Sequence, residues 1–513
     1  MDSPVSEVNS FKASGKPPVS NPPMSIIREI LFIFITSSAQ LMTQAGLGQT
    51  IAPSHIIGKA FGTTNSGQLS WFPASYSLTV GTFILVAGKL GDMYGHKNMF
   101  IFGYAWYSLW SLISGFSVYA KSAIMYDVCR ALTGIAPAFL LPNALAILGR
   151  VYPPGRRKQW AFCMFGATAP NGFLLGAVFS GIFSQLAWWP WSYWSTCIIC
   201  FAFCIASYLI IPDIQEETDE EKTSEKRHFD YLGTFFGITG LVLINFAWNQ
   251  GPVVGWHVPY VYILLIIGVL SMVVFIYVEH KTLEPLLPPD AFTGEIGFIL
   301  MCIAAGWACF GIWIYYLWNF FEVLRQNTPL LTVAQMAPVG ISGCLAAAST
   351  GTLLSRFRPI ICMIISMAAF TIGTILLATA PIDQTYWAQT FVATIVTPWG
   401  MDMSFPAATL VISDFVSREN QGIAASLVST VVNYSISIGL GIAGTIEVHL
   451  NHKGTNILRG YRSAWYMGIG FGGLGVGVSI LAAVLLFTKP SKRASDVESA
   501  EETAEKKEIG ISN

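Results

Sequence analysis

The sequence predicts an all-α integral membrane protein, and three observations carry that prediction. Of its 513 residues, 53% are hydrophobic and only 11% are charged, whereas soluble domains carry roughly a quarter charged residues. The apolar residues recur in blocks of roughly 20, the length at which a helix crosses a ~30 Å hydrocarbon core. Backbone groups in lipid have no water to bond, so each block is expected to satisfy itself as a helix.

Fourteen blocks qualify, over residues 30–50, 69–88, 98–118, 122–149, 160–182, 192–212, 231–249, 259–278, 296–320, 332–354, 360–379, 386–412, 421–446 and 464–487. Residues 1–26 are polar, contain prolines and lack a signal-peptide core. They read as a disordered cytoplasmic amino terminus, with the first span acting as insertion signal. The distribution of lysine and arginine sets the orientation. With the amino terminus inside, the inner loops hold 13 Lys and Arg and the outer loops 6, so both termini are expected in the cytoplasm. The run DIQEETDEEKTSEKRHF (213–229) reads as a solvated linker, and residues 489–513 as a disordered cytoplasmic carboxyl terminus. All nine cysteines fall inside expected spans and read as small apolar packing residues, not as disulfides or metal ligands. A net charge of −1 offers no general attraction to nucleic acid.

The chain repeats itself weakly. AFLLPNALAILGRVYPPGRRKQWAF, around the fourth span, resembles MSFPAATLVISDFVSRENQGIAAS around the twelfth, with Pro142 matching Pro406. The stretch at Gly88 has a faded counterpart at GTLLSRFRP (351–359), where Ser355 stands in place of an aspartate. Two six-helix bundles with pseudo-twofold symmetry, residues 27–212 and 296–488, account for this. A charged cytoplasmic linker and an inserted pair of central helices occupy 213–295. Repeated halves around a midplane cavity are the architecture of secondary transporters.

Between the second and third spans lies GKLGDMYGHKNMF (88–100), expected to be a tight cytoplasmic hairpin. Its glycines permit close helix approach, and Asp92 is suited to dock on a helix amino terminus or a basic group of the opposite bundle, as an inner-gate latch. In the fourth span, Arg130 costs roughly 2.5–3.5 kcal/mol on insertion scales unless partnered. Asp127, three residues earlier on the same face, suits either a structural salt bridge or a proton-coupling pair. In the fifth span, GATAPNGFLLG spaces Gly166, Pro170, Gly172 and Gly176 for close crossing and bending.

These stretches together resemble the major facilitator superfamily. The pattern G-x-L-x-D-x-x-G-x-K, here Gly88, Leu90, Asp92, Gly95 and Lys97 with Gly91 inside it, is similar to its signature loop, with Met93 and His96 at commonly basic positions. RALTGIAPAFLLPNA is similar to its fourth-span motif and GATAPNGFLLG to its antiporter motif, although Ala169-Pro170 replaces the usual Gly-Pro. FAWNQGPVVGW, EPLLPPDAF, GMDMSFPAATLVISD, NYSISIGLGIAGTIE and WPWSYW extend the resemblance, from about residue 30 to 487, to the fourteen-span fungal drug:proton antiporters. Within these it looks most like the yeast aminotriazole-resistance and boron-efflux permeases. The resemblance implies a proton-coupled exporter of small toxic solutes or drugs in the plasma membrane, such as borate, aminotriazole-like compounds or a secondary metabolite.

One departure bears on coupling. Many relatives carry an acid in the first span, whereas this chain has only Gln40, Gln44 and Gln49 there, and a glutamine cannot carry a proton. The remaining proton-coupling groups are Asp127 with Arg130, Asp402, which precedes a helix-breaking Pro406, and, at the inner gate, Asp92. Gln44, Asn143 and Asn433 are expected to face the substrate cavity. No P-loop occurs, so no ATP site is expected, and no cofactor or metal either. The partners expected are protons, a small-molecule substrate and the bilayer, with a monomeric chain. An importer or facilitator of a small solute such as ammonium is the alternative reading, and a non-transporting membrane sensor a remoter one.

Overall fold

The computed structural model describes residues 25–152, 156–212, 229–282, 285–287, 294–415, 421–451 and 454–488. Residues 1–24, most of the charged run 213–229 and the tail 489–513 lie outside the described residues. Within them the regular structure is helical throughout. In order these are α1 (Ile26–Ile51), the short α2 (Ser54–Ala60), α3 (Ser66–Tyr94), α4 (His96–Ala120), α5 (Ala123–Val151), α6 (Arg156–Leu186) and α7 (Pro190–Ile210). Then follow α8 (Tyr231–Val254), α9 (Pro259–Glu279), α10 (Gly294–Asn319), α11 (Pro329–Arg356), α12 (Pro359–Thr379), α13 (Gln389–Phe415), α14 (Gln421–Leu450) and α15 (Ile457–Thr488). A five-residue π-helical turn, Phe320–Leu324, ends α10.

Each expected span coincides with one long helix. Twelve of these are long and apolar enough to cross a membrane. The two that fall short are α4, diluted by serine, tyrosine and tryptophan, and α13, diluted by threonine, proline and Asp402. The chain is a multi-pass membrane protein. Its described cysteines are free thiols.

Local chemistry sets the helix ends. Ser25, Asn65, Ser122, Asp230 and Thr328 cap α1, α3, α5, α8 and α11 by accepting first-turn N–H groups. Proline opens α7, α9, α11 and α12, where a missing N–H costs nothing. The expected hairpin over 88–97 is corrected. Helix continues through Tyr94, and the chain reverses at Gly95 alone, whose φ of 90° is open to glycine at little cost. The charged residues of that stretch are therefore presented on a rigid helical extension.

The principal packing pairs recur along the chain. α1 lies on α6, α3 on α5, and α4 on both α5 and α7; likewise α10 lies on α14, α11 on α13, and α12 on both α13 and α15. α8 and α9 pair with each other, and α8 rests on α3 and α14. The two most extensive contacts joining the first set to the second are α3 with α14 and α6 with α11. The α3–α14 pair is antiparallel: Ser66 meets Glu447, Ala74 meets Ser437, Gly81 meets Thr430 and Tyr434, and Gly88 lies beside Ser426.

Small residues make the closest crossings. A Cβ on Gly172 would lie 2.3 Å from the Leu41 carbonyl oxygen, one on Gly176 2.1 Å from that of Ala45, and one on Gly48 2.2 Å from that of Phe173. The fifth-span motif therefore seats α6 backbone-to-backbone on α1. Gly166 takes no part, since it is exposed with nothing within 4 Å of such a Cβ. Gly176→Ala should lower thermal stability in detergent by an overpacking cost of roughly 1–3 kcal/mol, and Gly166→Ala should leave the melting temperature unchanged. Equal melting shifts would contradict this assignment.

Candidate functional site

At the Asp92 end, α3, α4 and α5 form a polar chain. Asn143 is fully buried, and its Nδ2 donates to the Phe139 carbonyl at 2.7 Å and, more distantly, to that of Ala87 at 3.5 Å. Those acceptors leave Asn143 Oδ1 to receive a hydrogen bond from His96 Nδ1 at 2.7 Å. His96 Nε2 then faces Asp92 Oδ1 at 3.2 Å, and Arg150 Nη2 approaches the same oxygen at 3.4 Å. Gly91 is needed there, because a Cβ would sit 2.0 Å from Asn143 Oδ1. Asn143, expected in the substrate cavity, is thus a staple beneath Asp92. Leu90 is half-buried, and Lys97 lies 5.7 Å from the centre of the Tyr208 ring. Both described partners of Asp92 sit on its own set of helices. The α3–α14 register nevertheless brings Asp92 level with Gln421, where α14 begins.

Arg130 is fully buried in α5. Its Nη2 donates to the Gly46 carbonyl at 2.6 Å, and its guanidinium lies 4.5 Å from the Tyr76 ring centre and 5.8 Å from that of Tyr193. The expected pairing with Asp127 does not form. Asp127 accepts instead from Gln68 Nε2 at 2.6 Å, while tyrosine faces and one carbonyl hold the cation. A desolvated cation–π contact is worth roughly 2 kcal/mol, comparable with the insertion cost of an arginine. Nε and Nη1 have no hydrogen-bond partner. Gln49 is held by Ser192 and Thr196 of α7.

Midway along the helices, α6, α11 and α13 meet at a carboxyl group. Asp402 is 13 residues from either end of α13. It is half-buried, and its Oδ2 is sealed from solvent and has no hydrogen-bond partner. That oxygen lies beside Gly343 of α11, where a Cβ would meet it at 2.7 Å and Pro170 Cβ at 2.8 Å. Next to Pro170, Asn171 Nδ2 donates to Cys344 Sγ at 3.2 Å. Pro406 supplies no N–H to the Asp402 carbonyl, and Thr350 Oγ1 of α11 approaches that oxygen at 3.5 Å. The aspartate is thus tied through its backbone and unpaired through its side chain.

Gln44 is half-buried on α1, and Asn433 donates to the Ser429 carbonyl one turn away on α14 at 3.0 Å. Asn143, expected beside them in a cavity, is fully buried and bonded to His96 at the Asp92 end. The sequence reading missed the tyrosine cage of Arg130 and a node that anchors α8. There Asn249 donates to Asn245 and Ser437, and Ser437 donates to the Ala74 carbonyl. The node's signal was visible only as two asparagines one turn apart in an apolar span. No group of three or more histidine, cysteine, aspartate or glutamate side chains suited to a metal ion occurs among the described residues.

Two recurring sets of helices in a multi-pass protein, with buried ionisable groups between helices, have the make-up of a membrane transporter. The family model for the Major Facilitator Superfamily matches residues 32–361 and 296–511, and the chain belongs to that superfamily. It is 58% identical over 475 residues to a low affinity ammonium transporter of Saccharomyces cerevisiae, covering 92% of each chain. It is 44% identical to the efflux pump terJ of Aspergillus terreus, covering 94% of this chain and 93% of the relative. It is 37% identical to the aminotriazole resistance protein of Saccharomyces cerevisiae, covering 90% and 85%. Among solved structures, the POT family transporter PepTSo superposes with a TM-score of 0.62 at 11% identity, covering 90% of this chain and 98% of that one. This last likeness concerns the fold alone.

Arg130→Lys should lower transport at least about tenfold with the protein still inserted, because an ammonium cannot lie flat on Tyr76 while bonding the Gly46 carbonyl. Arg130→Met supplies the comparison. If it transports at the wild-type rate per molecule in vesicles, the charge has no role.

Proposed function

We propose that this protein is a proton-coupled secondary transporter that exports small toxic solutes from the cytoplasm by alternating access. Fourteen spans, with both termini cytoplasmic, form two six-helix bundles, 27–212 and 296–488, related by a pseudo-twofold axis, with the inserted pair α8–α9 within 213–295. The recurring helix pairs support this division, and the packing of α4 and α13 among apolar helices supports counting both as spans. The residues suited to gate, couple and bend are those at 88–97, at Asp127, Arg130 and Asp402, and at Pro170, Gly172 and Gly176.

One observation carries the reading: the unpaired Asp402 carboxyl at mid-depth, where the bundles touch through Pro170 and Gly343. An ionisable side chain inside a membrane domain is costly and marks an ion or proton pathway. Placed against the α6–α11 contact, a change in its charge alters how closely α11 can sit on α6. That links proton binding to the rocking of one bundle on the other. Asp92, level with the start of α14, is suited to close the inner gate on that helix's positive end. In the present conformation the Ser66 end is closed by bonds between the bundles.

A second reading, import or facilitated passage of ammonium, is favoured by the 58% identity to a transporter of that name and by the lack of an acid in residues 30–50. Purified protein in vesicles under an imposed pH gradient, tested with borate, aminotriazole and methylammonium, separates the two. Export predicts solute movement against its gradient that a protonophore abolishes, and Asp402→Asn should reduce that movement to the protonophore-treated level. Flux indifferent to the protonophore, with Asp402→Asn fully active, would favour facilitated passage.

A further inference from the structure

The α3–α14 pair carries an acid at both ends, and only one of the two belongs to the signature loop. Glu447, in the last turn of α14, is 1% exposed. Ser66, the first residue of α3, donates its hydroxyl to Oε2, and Asn451 Nδ2 donates to Oε1 at 2.7 Å. The carboxyl group therefore sits at the amino end of α3, where the helix dipole favours negative charge. Tyr315 of α10 donates to the Ser66 carbonyl at 3.3 Å, gripping the same residue from the second bundle. His55 of α2 bonds Asn319 of α10, and the Leu330 N–H of α11 donates to Gln185 of α6 at 3.1 Å, so three further contacts bridge the bundles at this end.

The antiparallel register makes Glu447 the counterpart of Asp92. Each lies near the carboxyl end of one helix and level with the amino end of the other. Among the described residues, the ionisable groups facing Glu447 are the phenols of Tyr315 and Tyr316 on α10 and Tyr461 on α15. On α3 it meets only the Ser66 hydroxyl, and from the α8 side Trp256 Nε1 bonds Thr445 half a turn away. Two donors and a helix end suit an ionised carboxylate. A proton on that carboxylate removes its charge from the α3 dipole and takes one oxygen out of service as an acceptor.

We propose that Glu447 is the latch of the outer gate and a proton-binding group on that side, holding the gate shut when ionised and releasing it when protonated. The inference rests on the alternating-access reading, but it is tested without transport. Gly181 of α6 is buried against Val333 and Leu330 of α11, and a Cβ there is in ordinary contact at 3.4 Å. Gly181→Cys therefore reports opening of this end to a membrane-impermeant thiol reagent added outside, with the chain lacking that cysteine as background. Glu447→Gln should raise the labelling rate several-fold at neutral external pH. External acid should raise the rate in the Glu447 protein relative to that in Glu447→Gln, where acid acts only by lowering the thiolate fraction of the reporter cysteine. Ser66→Ala, which removes one donor, should lie between, and it serves if Glu447→Gln does not fold. Oxidative cross-linking of Ser66→Cys with Glu447→Cys should suppress labelling until reductant is added. Labelling that ignores both substitutions, pH and the cross-link overturns the latch. A latch that responds as stated in a protein that moves no solute leaves it standing and overturns the transport reading alone.

Discussion

The bilayer supplies no hydrogen-bond partners, and the rest of this structure follows from that constraint. Backbone groups close on themselves in long helices, and side-chain polar groups must find partners inside the protein. Most do so locally: serine and threonine hydroxyls return to carbonyls three or four residues back, as Thr36, Thr43 and Ser366 do. Against that background a group whose partners lie on another helix marks a place where helices must meet. A carboxylate oxygen with no partner, such as Asp402 Oδ2, calls for a proton, a water or an ion.

Close approach is the second consequence. Association in lipid depends on packing and interhelical bonds, so glycine replaces hydrophobic burial as the means of bringing helices together. Gly172, Gly176 and Gly48 seat α6 on α1, and Gly81 lets α14 cross α3. At the second of these crossings the contact runs the length of both helices. In the proposed rocking motion contacts break at one end while those at the other hold, and the polar groups at the two ends are Asp92 and Glu447.

The legible part of the candidate site was the part that depends on local spacing. The stretch from Gly88 to Lys97, the arginine in the fourth span and the small residues of the fifth were recognisable because their roles rest on neighbours along one helix or on backbone shape. What misled was partner choice. Asp127 stands one turn from Arg130, as a salt bridge requires, yet it turns to Gln68 while the arginine finds tyrosines on α3 and α7. Asn143 has the character of a cavity residue but is consumed by His96 and two carbonyls. Neither outcome is encoded within a single span.

By itself, the sequence determined that the chain is a helical membrane protein, where its long helices lie and which short stretches are unusual. Apolar length, capping residues and glycine spacing act over a few residues and can be read in one dimension. Only the tertiary structure decided that Asp402 stands unpaired against Pro170 and Gly343, and that Glu447 grips the amino end of α3. Those arrangements join residues far apart along the chain, and a polar group in lipid takes whichever partner folding brings within about 3 Å.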